Sequence, residues 1–261
     1  SAFFNYWACK LGGLMFCMSK GKTAEKVVKE IAPALDIVGL NYASSRYDTD
    51  VKKYPGRMMV GSETMAGDLP YNWARVKKYP QLIGDFVWSA WDYLGEACIG
   101  DWTYYSYKGL PLLAGQGMVD ITGNPLAQMA FLQVVWGMRK QPYLAVRPVN
   151  HSGERPKTGA WQFTNAIAGW NWDGYEGKKT IAEVYSDAYA VRLFLNGKKI
   201  GEKRVKNCKA LFPVRYRAGT LTVVALDEKG KELSRTSLIT GGRETFLRIK
   251  VDKTVLRANG Q

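Results

Sequence analysis

Leu82-Ile83-Gly84-Asp85-Phe86-Val87-Trp88-Ser89-Ala90-Trp91-Asp92-Tyr93 is an apolar run that ends in rings, a hydroxyl and a carboxylate. Near-continuous apolar runs of this length are the mark of strands buried on both faces of a parallel sheet. Two earlier segments repeat the design. Leu35-Asp36-Ile37-Val38-Gly39-Leu40 ends in Asn41-Tyr42, and Arg57-Met58-Met59-Val60-Gly61 ends in Ser62-Glu63-Thr64. Helical patterns separate or follow the runs. Thr23 to Ala32 carries Val27, Val28 and Ile31 on one face and is stopped by Pro33. Leu69 to Lys78 is long enough for a helix. After Gly123-Asn124-Pro125, Leu126, Met129, Ala130, Phe131 and Val134 form a stripe ending near Trp136. Alternation of strand and helix predicts an α/β unit with parallel strands.

From about Pro142 the period changes to two. Ile181 to Ser186 and Val191 to Leu195 alternate apolar with polar residues. Asn196-Gly197 is a type I′ hairpin signal that returns the chain through Lys198 to Val205. Thr220 to Leu226, a turn at Asp227 to Gly230, and Lys231 to Leu238 make a second hairpin. Such spacing predicts an antiparallel β-sandwich. Phe246 to Gln261 begins a fresh strand pattern and stops.

Composition narrows the function classes. The 261 residues are 46% hydrophobic and 13% aromatic, which excludes a disordered chain. No apolar run is long enough to span a bilayer. Four cysteines without CxxC spacing and one histidine, His151, exclude a zinc cluster or a histidine-based nucleophile pair, so neither a metal nor a cofactor is expected. The net charge of +14 sits mainly in the second half, where lysines flank turns as on a solvated face. No nucleic-acid motif accompanies it.

Acid–base chemistry therefore falls to carboxylates and tyrosines. The carboxyl ends of parallel barrel strands share one rim, where active sites are built. Glu63 there would stand beside Tyr42 and Trp88. A carboxylate to attack an anomeric carbon and a ring to support the sugar face are what glycoside hydrolysis requires. Asn41, Asp92 and Glu96 are further candidates for gripping hydroxyls. Trp161, Trp170 and Trp172 are read as sandwich-core rings.

The segments 36–42, 60–64 and 84–96, in order and spacing, resemble the last three strand ends of the catalytic barrel of glycoside hydrolase family 2, β-galactosidase type. Residues 161–242, with Trp170-Asn171-Trp172, resemble the immunoglobulin-like domain that follows it. The resemblance implies a partial (β/α)8 (TIM) barrel over residues 1–141, an immunoglobulin-like β-sandwich over 142–245, and the start of another β domain over 246–261. It implies Glu63 as the nucleophile of a retaining enzyme, Tyr42 as the phenol that assists it, and Trp88 as the stacking ring with a cis bond to Ser89. The substrate would be a β-galactoside, and residues 93–125 lack the Asn-x-Lys of β-glucuronidases.

The family's acid/base glutamate follows an asparagine on an earlier strand, and no Asn-Glu pair occurs here. The expectation is the C-terminal part of a longer bacterial enzyme, nearly inactive alone, self-associating through open barrel edges. A non-catalytic carbohydrate-binding module, or a family 2 enzyme for another neutral β-sugar, is the alternative. A signal for export would lie upstream, so the compartment is open.

Overall fold

A computed structural model of the chain describes residues 18–95, 103–104, 109, 112–154, 156–157, 161–242, 249–253, 255 and 257–258. The first three strands, β1 (Ile37–Asn41), β2 (Met58–Met65) and β3 (Leu82–Trp88), form a parallel sheet in chain order. Helices α1 (Lys22–Ile31), α2 (Tyr47–Lys53) and α3 (Leu69–Lys78) alternate with them. Val38, Leu40, Met59 and Leu82 face Ala32, Tyr47 and Val51 in one buried cluster. Their alternating neighbours Ile37, Met58 and Ile83 are exposed. Burial on both faces, expected from the apolar runs, is therefore realised on one face among the described residues. What covers the other face is not encoded in a strand's own composition.

Helix α1 departs from expectation in the same way. It buries no residue, and Val27 and Ile31 are 52% and 55% exposed. Polar contacts anchor it instead. Glu25 receives Lys53 and Arg46, each at 2.5 Å, and the Tyr54 hydroxyl. Lys53, Tyr54 and Arg46 together hold the Glu25 carboxyl down from 4.5 to about 2. A depressed carboxyl contributes stability that is present above its unfolded pKa and lost as pH falls through the folded one. Amide exchange in residues 22–31 should thus accelerate as pH drops from about 4.5 toward about 2, after correction for intrinsic rates. In Glu25→Gln this extra pH dependence should vanish.

Helix α4 (Ala127–Val135) buries Ala130, Phe131 and Val134 of the expected stripe, leaves Met129 half-buried, and also buries Ala127, Gln128 and Leu132 outside it. It packs toward the antiparallel part of the chain: the Phe131 ring stacks on Phe163 at 4.4 Å and meets Tyr185 edge-on at 5.4 Å. A short pair, β4 (Thr103–Tyr104) with β6 (Pro156–Lys157), adds a second connection.

Seven strands make two sheets. One has the order β10-β7-β5, the other β12-β11-β8-β9. Their ranges are β5 Tyr143–Val146, β7 Lys179–Tyr185, β8 Ala190–Leu195, β9 Lys198–Arg204, β10 Lys209–Arg215, β11 Thr220–Leu226 and β12 Glu232–Ile239. Leu144, Val184 and Phe212 of the first sheet meet Val191, Leu193 and Val223 of the second in one core. Trp170 is buried in this core and donates its indole N–H to Arg217 O at 3.0 Å; Trp172 packs beside it. The hairpin turn is as expected, with Asn196 at φ 50° and Gly197 at φ 78°.

Strand β10 was not expected. Ala210, Phe212 and Val214 face inward, but Leu211 and Pro213 on the other parity hide the alternation. Glu183, fully buried in β7, is held by Arg147 at 2.7 Å and Lys209 at 2.9 Å. Burial pushes its carboxyl up, yet the two cations outweigh that and keep it below the ordinary value. The strand expected from Phe246 starts outside the described residues.

Among the described residues no helix is long and apolar enough to cross a membrane. No group of three or more His, Cys, Asp or Glu among them is placed to hold a metal ion.

Candidate active site

The three parallel strands end side by side, and their registers place the chemistry-bearing residues on neighbouring strand ends. Asn41 pairs with Glu63 across β1 and β2, and Met65 pairs with Trp88 across β2 and β3. Just past β1, Tyr42 adopts φ 48°, a left-handed conformation that is uncommon for a bulky residue. Its amide donates to Glu63 O at 2.8 Å. The turned backbone brings the phenol beside the half-buried Glu63 carboxylate. Burial, followed by the neighbouring Glu63 carboxylate, pushes the Tyr42 hydroxyl well above the usual tyrosine range. Tyr42 is therefore a neutral donor at any physiological pH. No lysine or arginine among the described residues forms an ion pair with Glu63.

Trp88 is half-buried, its indole N–H donating to Gln116 Oε1 at 2.7 Å and its ring tilted against Tyr93 at 6.0 Å. The Trp88–Ser89 peptide bond is cis, as the resemblance implies. Asn41 is exposed beside Glu63. Asp92 corrects its reading as a sugar ligand. It is 5% exposed, and its carboxylate accepts the amides of Tyr93 (2.9 Å), Gly115 (3.1 Å), Gln116 (3.2 Å) and Gly117 (3.3 Å). Those bonds hold the 114–118 loop, which carries Gln116 to Trp88. Glycine is required at 117, because a Cβ there would lie 2.3 Å from Asp92 N. Glu96 lies outside the described residues.

Two residues to which sequence reasoning gave no role at the strand ends belong here. Trp161 is not in the sandwich core; its indole N–H donates to the Tyr42 hydroxyl at 2.6 Å, with the rings edge-on at 6.5 Å. The Tyr42 hydroxyl thus accepts from Trp161 and lies beside Glu63. Trp161→Phe should cost about 1 kcal/mol in urea unfolding through the lost bond. In Tyr42→Phe the Trp161 indole N–H resonance should move upfield, and an unmoved resonance would show that the bond is not formed.

The other residue is Asp85, a carboxylate within an apolar strand. It accepts Tyr47 Oη at 3.0 Å, Thr64 Oγ1 at 2.9 Å and Asn72 Nδ2 at 3.2 Å. Burial pushes its carboxyl up against these three donors. It ties β3 to the strand that bears Glu63. A charge inside an apolar run was the available signal.

Comparison with known proteins finds glycoside hydrolases. By sequence the chain is 27% identical over 182 residues to the beta-galactosidase BoGH2A of Bacteroides ovatus, covering 69% of this chain and 18% of that protein. It is 28% identical over 188 residues to a candidate beta-glucuronidase of Formosa agariphila, covering 69% of this chain and 15% of that protein. By structure it is similar to two crystal structures of glycosyl hydrolase family 2 members from Bacteroides cellulosilyticus. Their TM-scores are 0.69 and 0.66, at 31% and 29% identity. They cover 86% and 88% of this chain but only 30% and 29% of the compared chains.

A family model described as a domain of unknown function (DUF4982) matches residues 177–234. The mixed helix-and-sheet architecture matches the family 2 neighbours, and the chain is a relative of glycoside hydrolase family 2 that spans less than a third of the length of these members.

Proposed function

We propose that this chain carries the nucleophile side of the active site of a retaining exo-β-glycosidase that releases terminal β-galactose. Glu63 attacks the anomeric carbon as the bond to the aglycone oxygen breaks, and a covalent glycosyl-enzyme forms. Water then displaces the carboxylate from the opposite face, giving net retention. Tyr42 stands by the carboxylate that gives up its negative charge to the new bond and regains it on hydrolysis, and Trp88 supports the apolar face of the sugar. The Tyr42 phenol set beside the Glu63 carboxylate on neighbouring strand ends, with no cation paired to that carboxylate among the described residues, is the observation that supports this reading.

In this reading residues 1–141 are the C-terminal portion of a TIM barrel, 142–245 an immunoglobulin-like sandwich and 246–261 the start of a further β domain. Residues outside this chain supply the general acid/base, a contribution worth about 10²–10⁴-fold. The galactoside assignment is supported by the named activity of BoGH2A. The absence of Asn-x-Lys from residues 93–125 disfavours a glucuronide.

The test is to treat the full-length protein bearing these residues with 2-deoxy-2-fluoro-β-galactosyl fluoride. Its fluoride leaves without protonation, so the covalent intermediate accumulates. Mass spectrometry should place the added sugar on Glu63. An adduct on another residue overturns the nucleophile assignment. Faster labelling by the gluco or glucuronyl analogue overturns the galactoside.

A further inference from the structure

A cavity of about 810 Å³ lies in the sandwich and away from Glu63. It opens between β9 and β10, each the edge strand of its own sheet. At one end the two edges meet: Gly201 lies against Phe212, and Lys203 Nζ reaches Leu211 O at 2.7 Å. Toward the Asn196-Gly197 turn they part, leaving a groove walled by Ile181, Leu195, Ile200, Pro213 and Val214. A volume of this order is that of a small-molecule site.

Its rim is uniformly cationic. Lys179, Lys198, Arg215 and Arg217 line it, with no carboxylate among the lining residues. None of the four forms an ion pair among the described residues; Arg215 makes one bond, to Gly177 O at 2.9 Å. Elsewhere in the sandwich, several cations have carboxylate partners. Arg147 and Lys209 hold Glu183, Arg192 and Lys199 hold Glu202, and Arg235 holds Glu232. Four uncompensated cations converging on apolar walls make a field complementary to an anion. Every lining residue falls within the 177–234 segment whose family has no described function.

We propose that this groove binds a small anionic amphiphile, a carboxylate, sulfate or phosphate on an apolar body. The apolar part rests on Ile181, Ile200 and Pro213, and the anion faces Lys179, Lys198 and Arg217. Pro213 has no N–H to offer an added strand, and the groove closes at Gly201, which favours a compact ligand over an extended peptide.

The test uses the whole chain and two fluorescent probes with a similar aromatic body. 8-Anilinonaphthalene-1-sulfonate carries the anion; N-phenyl-1-naphthylamine does not. The sulfonate should bind at one saturable site, about 10-fold more tightly than the neutral probe, and more weakly as salt screens the rim. Lys179→Gln, Lys198→Gln and Arg217→Gln combined should weaken the sulfonate about 10-fold and leave the neutral probe unchanged, with near-UV circular dichroism intact. Ile200→Glu should abolish sulfonate binding, whereas Phe86→Ser on the exposed parallel strand should not alter it. Equal binding of both probes, or sulfonate binding indifferent to these groove substitutions, overturns the proposal. Binding of an acidic peptide but not of the sulfonate also overturns it, in favour of a protein partner.

Discussion

Glu63→Gln in the full-length protein should lower turnover of an aryl β-galactoside by about 10⁴–10⁶-fold while leaving the fold intact, the scale on which loss of a nucleophile is felt. The amide is nearly isosteric, so the loss reports chemistry rather than packing. A 10⁵-fold loss corresponds to about 7 kcal/mol of transition-state stabilisation. The smaller Glu63→Ala leaves room for an external nucleophile. Azide should then displace an activated leaving group directly and yield the α-glycosyl azide, a single inversion where the native route makes two. Retained full activity in Glu63→Gln, or a β-glycosyl azide from Glu63→Ala, would remove Glu63 from the role of nucleophile. Loss of activity without azide rescue is the weaker result, and the fluoro-sugar label then decides.

The second large effect is structural. Gly61 stands two residues before Glu63 and opposite Asp85 in the register of β2 and β3. A Cβ at this position would lie 2.2 Å from Asp85 Oδ1 and 2.3 Å from Tyr47 Oη. Both atoms belong to one bonded pair, and Tyr47 is fully buried, so neither can simply swing away. Gly61→Ala should therefore cost about 3 kcal/mol, the upper range for overpacking, and lower Tm by roughly 6–12 °C.

The cost should be non-additive with Asp85→Ala, which vacates the space that the new methyl needs. If the double variant is as unstable as the sum of the single ones, the clash is not the cause. A Gly61→Ala chain that folds should also label more slowly at Glu63. The strand must shift to admit the methyl, and near-attack geometry is sensitive to displacements of about 1 Å.

Much of this molecule was readable before any coordinates. The three parallel strands, helix α4, the Asn196-Gly197 turn and the strands flanking it are written in local periodicity and turn chemistry. Such signals act over a few residues and survive in any context. Strand β10 escaped because Leu211 and Pro213 break the polar half of the alternation. Helix α1 shows the limit of periodicity: Val27, Val28 and Ile31 define a face, but no element among the described residues covers Val27 or Ile31.

The amino-acid order by itself placed a phenol, a carboxylate and an indole at the ends of consecutive apolar runs. Only the tertiary structure decided how those groups are used. Trp161 reaches Tyr42 from 119 residues away. Asp92 is consumed by backbone amides 23 to 25 residues downstream. Four lysines and arginines that look in sequence like ordinary turn neighbours converge on one groove. Hydrogen bonding and charge depend on distance in space, and a linear pattern records only distance along the chain.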